Sequence, residues 1–233
     1  MLTILFEDDS ILAIDKPSGV PSHSLAPEQT SCETLLSLGR PGEIFHLAHR
    51  LDTGTSGVLV FAKNEPVYNE IREQFKLKNI QKRYLAWTEK SLEKEQFLSS
   101  LLLPYTITWP LAHHAKSKKR MIALPPGKSR NFRGKEIPAV SILHHFEAES
   151  FSGIPAVRLE IEIITGVMHQ IRVHLGSLGL PLLGDLVYEK SARSETVRLA
   201  LHAERISFSL NNFRYEIESQ FKPTEGPEAS IQK

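Results

Sequence analysis

Two short stretches of this chain hold residue types and spacings that could do chemistry. His49-Arg50-Leu51-Asp52-Thr53-Gly54-Thr55-Ser56-Gly57 is a polar loop that runs directly into the apolar segment from Val58 to Ala62. A carboxylate placed there would stand on a loop held by a buried strand, and the glycines would let a ligand approach the backbone. Asp-Thr-Gly is equally an ordinary turn, with Asp52 accepting from the amides of Gly54 or Thr55. The second stretch runs from Thr165 through Val167, Met168, His169, Gln170, Ile171, Arg172, Val173 and His174 to Leu175. Read as a helix, it turns Ile171 and Leu175 to a core and leaves His169 and Arg172, three residues apart, on a polar face. Its two histidines lack the spacing of a helical zinc pair. Taken alone, it reads as a helix with a surface arginine and a hydrogen-bonded histidine.

A third feature is a segregation of charge that the average hides. The 233 residues carry 28 Lys and Arg against 27 Asp and Glu, a net of +1. Eight of the basic residues (Lys116, Lys118, Lys119, Arg120, Lys128, Arg130, Arg133 and Lys135) lie between Ala112 and Lys135 with no acid among them, which leaves 20 against 27 elsewhere. Trp109 borders this tract, and His113, His114 and Phe132 lie inside it. Cations mixed with aromatics suit phosphate contact and base stacking, and a solvated loop is the other reading. The single cysteine, Cys32, excludes an internal disulfide framework and a multi-cysteine metal site. With no apolar run of about 18 residues and no signal-peptide pattern at the start, a cytoplasmic protein is expected.

Periodicity supplies the elements that must position these groups. Ile4–Phe6 and Ile11–Asp15, separated by Asp8-Asp9-Ser10, predict a hairpin. Thr30 and Glu33 have capping-box spacing ahead of Leu35 and Leu36, with Gly39 ending a short helix. Asn64 can cap a helix that presents Val67, Ile71 and Phe75 on one face. Strands are predicted at 58–62 and 80–87, the latter with Lys82 and Tyr84 on one face. Val157, Leu159, Ile161 and Ile163 alternate with polar residues, the clearest half-buried strand. A short helix follows Thr165-Gly166, and two further strands lie around 201–208 and 213–217. Strands outnumber helices, which predicts an α+β fold on one large, mainly antiparallel mixed β-sheet with flanking helices. No linker divides the chain, so a single catalytic domain over residues 1–221 and a flexible tail over 222–233 are expected.

Taken together, the motifs resemble the RluA-type family of RNA pseudouridine synthases. Asp15-Lys16-Pro17-Ser18-Gly19 is similar to the family's first motif, and the loop from His49 to Gly57 to its catalytic motif. Lys82-Arg83-Tyr84 is similar to the motif that carries an active-site tyrosine. His169 to His174, Gly179 to Asp185 with Tyr188, and Leu201-His202-Ala203 are similar to the later motifs. The resemblance extends from about Leu2 to about Phe208. It implies isomerisation of uridine within RNA: the N1–C1′ bond breaks, uracil turns while bound, and C5 bonds to C1′. It implies Asp52 as the essential carboxylate, either attacking C1′ or assisting a glycal-type route. Arg172 would hold Asp52 ionised, and Tyr84 would stack on the base. Substrate contacts are expected from His49, Arg50, Thr55, Lys82, His169, Gln170 and Leu201, and from Lys118, Lys119 and Arg120 in the basic tract. Arg50 is the expected filler of the gap left by a flipped base. No cofactor and no metal are implied, and the expected partner of a monomeric enzyme is a stem-loop of rRNA or tRNA.

The chain departs from the family pattern at Val167, where arginine is usual, and near Asn211-Asn212, where His-Pro is usual. No S4-type RNA-binding domain is expected ahead of the catalytic domain. Two other readings use the same residues: a catalytically silent RNA-binding protein on this fold, and a nucleosidase acting on free nucleosides. Intact Asp52, Tyr84 and Arg172 favour the synthase over the first. The basic tract, which a nucleosidase would not need, favours it over the second.

Overall fold

The N-terminal residues fold into the predicted hairpin in the computed structural model, which describes residues 2–24, 26, 29–127, 131–189 and 197–221. Strands β1 (Thr3–Glu7) and β2 (Ile11–Lys16) pair antiparallel. Their turn is tied by the Asp8 carboxylate, which accepts the amides of Ser10 and Ile11 at 2.8 Å each. Helix α1 (Cys32–Gly39) starts one residue later than the spacing suggested. Its cap is Ser31, not Thr30, and its reciprocal partner is Thr34, not Glu33. The extended Ser31 takes the Thr34 amide on its hydroxyl, while Thr34 Oγ1 takes the Ser31 amide. A short β3 (His46–Leu47) precedes β4 (Ser56–Ala62), which is buried throughout. Helix α2 (Glu65–Leu77) is capped by Asn64 as expected, its Oδ1 accepting from Val67 at 3.0 Å, and it buries Val67 and Ile71. In β5 (Gln81–Glu89), Lys82 and Tyr84 are buried while Gln81 and Arg83 are exposed, as alternation requires.

Periodicity did not reveal the next elements. Helix α3 (Leu92–Ser99) buries only Leu98. Strands β6 (Tyr105–Ile107), β7 (Leu111–His114), β8 (Met121–Ala123) and β9 (Phe132–Ile137) are short. The long β10 (Ser141–Phe151) has its alternation shifted by an irregularity in register between Leu143 and His145. It pairs with β11 (Ile154–Ile163), where Val157, Leu159, Ile161 and Ile163 are buried as predicted. Helix α4 (Gln170–Ser177), β12 (Leu201–Leu210) and β13 (Phe213–Glu218) complete the described elements.

The fold is the expected one, a large, mainly antiparallel mixed sheet with few helices. The chain divides into two compact units, one of Met1–Tyr84 with His202–Phe221, the other containing Leu85–Leu201. In the first unit, β2 and β3 pair antiparallel with β4, and β13 pairs antiparallel with β12. Strand β4 pairs with β12 in parallel register, where Ser56 and Gly57 face His202 and Ala203. Its core includes Ile11, Ala13, Val58, Val60, Ile71, Ile206 and Phe208. In the second unit, β10 pairs antiparallel with β11 and β6. The tract expected to be either a polyanion-binding segment or a solvated loop folds largely as a separate three-stranded antiparallel sheet, β8-β7-β9. Among the described residues no helix is long and apolar enough to cross a membrane. The expected tail at 222–233 and the basic residues Lys128 and Arg130 lie outside the described residues.

Candidate active site

The loop bearing Asp52 is mounted by the segment that follows β2. Lys16, fully buried, donates from Nζ to the carbonyls of Pro17 at 2.9 Å, Val20 at 2.7 Å and Thr53 at 3.1 Å. Ser18 Oγ donates to the Gly54 carbonyl at 2.7 Å, and the Gly19 amide to the Thr53 carbonyl at 2.8 Å. Ser22 Oγ both takes the Leu51 amide and donates to the Leu51 carbonyl, each at 3.0 Å. The backbone on either side of Asp52 is therefore fixed, while its side chain is only partly covered. The loop turns on a backbone bond from the Thr55 amide to the Asp52 carbonyl at 3.0 Å, a different acceptor from the side chain of an Asx-type turn. Gly57 has φ +108, and a Cβ there would meet the Ala203 carbonyl oxygen at 2.2 Å. Only glycine lets the loop enter β4 against β12. Lys16, Ser18 and Ser22 were not among the expected site residues, although the motif that contains the first two was recognised.

His49, half-buried, accepts the Val60 amide on Nε2 at 3.3 Å, so the neutral ring carries its proton on Nδ1. Burial, with the Lys82 ammonium second, pushes its pKa down to about 3. Burial alone lowers Lys82 to about 8. Lys82 Nζ lies 5.6 Å from the centre of the Phe75 ring, and the His49 ring is 5.5 Å from the same ring. The Tyr84 phenol is held neutral by burial and, second, by the negative charge of Asp52, which places those two groups within electrostatic reach of one another. Arg50 is exposed and Thr55 buried. His202, adjacent to the expected contact Leu201, donates from Nε2 to the Ser219 carbonyl at 3.1 Å, which leaves Nδ1 to accept from Ser56 Oγ at 2.9 Å. It ties β12 to the strand carrying Gly57.

In the second unit, Arg172 is 7 % exposed and donates from Nε and Nη2 to the two oxygens of Asp185, each at 2.7 Å. Asp185 Oδ1 also accepts the amides of Val187 and Tyr188 at 3.1 Å each. His169 starts α4 with φ +57, and its Nδ1 meets the Tyr188 hydroxyl at 2.9 Å. Gln170 is wholly engaged by the protein. Its Oε1 accepts from Thr165 Oγ1 and the Val167 amide, and its Nε2 donates to the Val140 carbonyl and Ser141 Oγ. His174, fully buried and lowered in pKa by that burial, donates to the Trp109 carbonyl and accepts from Ser141. Trp109, at the border of the basic tract, packs against the cluster of Leu111, Met121, Ala123, Ala139 and Val173.

The basic tract separates into two kinds of residue. Lys116, Lys118 and Lys119 in the β7–β8 turn, and Arg133 and Lys135 on β9, are exposed. Arg120 is half-buried, with its guanidinium carbon 5.5 Å from the centre of the Tyr188 ring. A cavity of about 370 Å³ in the first unit, with Phe6, Asp8, Phe213 and Tyr215 in its lining, includes none of the motif residues.

Residues 10–177 match the family model described as RNA pseudouridylate synthase, and the chain belongs to this family, in its RluA-type branch. Its members are RNA-modifying isomerases. The chain is similar to the Escherichia coli protein named dual-specificity RNA pseudouridine synthase RluA, with 31% identity over 211 residues covering 89% of this chain and 87% of the relative. The protein of the same name from Vibrio parahaemolyticus is 33% identical over 208 residues, covering 88% of this chain and 76% of the relative. The solved structure of human RNA Pseudouridylate Synthase Domain Containing 1 shares the fold, with a TM-score of 0.77 at 23% identity, covering 95% of this chain and 84% of that one.

Proposed function

We propose that this protein converts specific uridines in stem-loops of rRNA or tRNA to pseudouridine, with the carboxylate of Asp52 as the catalytic group. The observation that carries the reading is the mounting of Asp52, whose flanking carbonyls and amides are tied to Lys16, Ser18, Gly19 and Ser22 while its side chain stays partly open. A fixed backbone with an accessible carboxylate suits a reaction in which a group must be held beside C1′ through bond breakage, base rotation and C5–C1′ bond formation. Tyr84 enters this scheme as a neutral hydroxyl beside a stacking ring, since burial and the Asp52 charge both oppose phenolate formation. Arg172 belongs to the catalytic set by its motif, and Asp185 orients its guanidinium through two parallel bonds.

Arg50, exposed two residues before Asp52, fills the gap left by the flipped base. Lys82 adds positive charge on the Tyr84 face of β5. Lys118 and Lys119 hold backbone phosphates, which positions RNA without choosing its sequence. The catalytic domain of this proposal comprises residues 1–221.

The test is Asp52→Asn, which preserves shape and removes the charge. Release of tritium from RNA labelled at uridine C5 should fall about 1,000-fold or more, with RNA binding retained. Pseudouridine formation near the wild-type rate would refute the assignment.

A further inference from the structure

Arg120 was grouped with Lys118 and Lys119 by charge, but its surroundings differ from theirs. Two guanidiniums meet the ring of Tyr188, that of Arg120 at 5.5 Å and that of Arg172 at 5.2 Å from its centre. The Tyr188 hydroxyl accepts the Met121 amide at 2.8 Å and meets His169 Nδ1 at 2.9 Å. The consecutive residues Arg120 and Met121 therefore fasten the start of β8 to one tyrosine, by its face and by its hydroxyl. The backbone amide of that tyrosine donates to Asp185, which also forms the ion pair with Arg172. Among the described residues the buried Nε of Arg120 has no hydrogen-bond partner, and the guanidinium lies within cation–π range of the Tyr188 ring.

We propose that Arg120 is a positioning residue for the isomerisation, acting through Tyr188 on the Arg172–Asp185 pair. This deepens the proposed function and rests on reading Arg172 as catalytic. The Tyr188 ring limits where the Arg172 guanidinium can settle, and Arg120 limits where the ring can settle. The arrangement also joins the exposed lysines of the β7–β8 turn to Arg172 through Arg120 and Tyr188, so that a backbone gripped by Lys118 and Lys119 stiffens the arginine's support.

The experiment uses the full chain and RNA labelled with 5-tritiated uridine from cells lacking this protein. Single-turnover rate at saturating RNA and filter binding against salt are measured for Arg120→Met, Arg120→Lys and Arg172→Ala. Arg120→Met should lower the saturating rate about tenfold, with binding changed less than about twofold and its salt slope kept. Arg120→Lys should recover part of the rate, because an ammonium can stay over the ring. A wild-type saturating rate in Arg120→Met overturns the proposal, and a flattened salt slope beside that rate would make Arg120 a phosphate contact instead. If Arg120→Met does not fold, Tyr188→Leu decides. It removes the ring that both guanidiniums meet, and must lower the saturating rate with binding retained; a wild-type rate there overturns the proposal. Full activity in Arg172→Ala sinks the reading of Arg172 itself, whereas an inactive Arg172→Ala beside a fully active Arg120→Met sinks only the positioning role.

Discussion

Replacing Lys16 by methionine isolates the contribution of the loop mounting. The side chain keeps its length and loses three donors that reach the carbonyls of Pro17, Val20 and Thr53 at 2.7 to 3.1 Å. Hydrogen bonds from a charged group contribute about 1.5–3 kcal/mol each, so three amount to roughly 4–9 kcal/mol. Against this stands the cost of burying an ammonium, several kcal/mol even after relaxation. The methionine escapes that cost but leaves three carbonyls without their donor. The net loss comes to about 3 kcal/mol, a fall in Tm of about 6–12 °C at this chain length. Activity should fall further than stability suggests, since Thr53 adjoins Asp52, the proposed catalytic group, and a shift of about 1 Å in a reacting group costs about 100-fold. Lys16→Arg should not rescue, because a planar fork cannot replace one nitrogen on which three carbonyls converge. Thermal unfolding followed by circular dichroism and single-turnover tritium release read the two effects. A Tm within about 2 °C of wild type together with an undiminished rate would refute the reasoning.

Gly57→Ala should destabilise by about 3 kcal/mol or more in urea titration, because a Cβ at 2.2 Å from the Ala203 oxygen must force β4 and β12 apart at a positive φ. Lys82, lowered by burial to about 8 from an ordinary 10.5, gives up its proton in the folded protein before the unfolded chain does. Stability should therefore rise between about pH 8 and pH 10.5 relative to Lys82→Met, and identical pH profiles for the two proteins would refute the burial argument. Neutralising Lys118 and Lys119 together should raise KM for RNA and make the log–log salt slope of binding shallower by about 1.4; an unchanged slope would show that the turn does not touch phosphate.

Legibility in the sequence followed how local each cause was. The β1–β2 hairpin, the Asn64 cap and the alternation of β11 depend on neighbours within a few residues, and each was predicted. The α1 cap was misplaced by one residue, because Thr30 and Ser31 offer the same chemistry and only the extended backbone at Ser31 separates them. Strand β10 escaped because a register irregularity breaks the period-two pattern. Lys16 was legible as part of a motif but not as an anchor, since its three acceptors include a carbonyl 37 residues away. Arg120 and Lys119 carry like charges, and nothing short of the fold distinguishes a guanidinium on a tyrosine from an exposed ammonium.

The first unit closes with strands made last. Its Asp52 loop and β4 come from the opening third of the chain, yet the carbonyl that fits over Gly57 and the histidine that ties down Ser56 arrive only with β12. During synthesis, the Ser56–Gly57 end of β4 must wait for its β12 partner while the whole of Leu85–Leu201 is translated. The Asp52 loop can then acquire its full support only once nearly all the described chain has been made. With Asp52 in its proposed role, a newly made molecule would thus stay inert toward RNA until β12 pairs with β4, a delay built into the order of the strands.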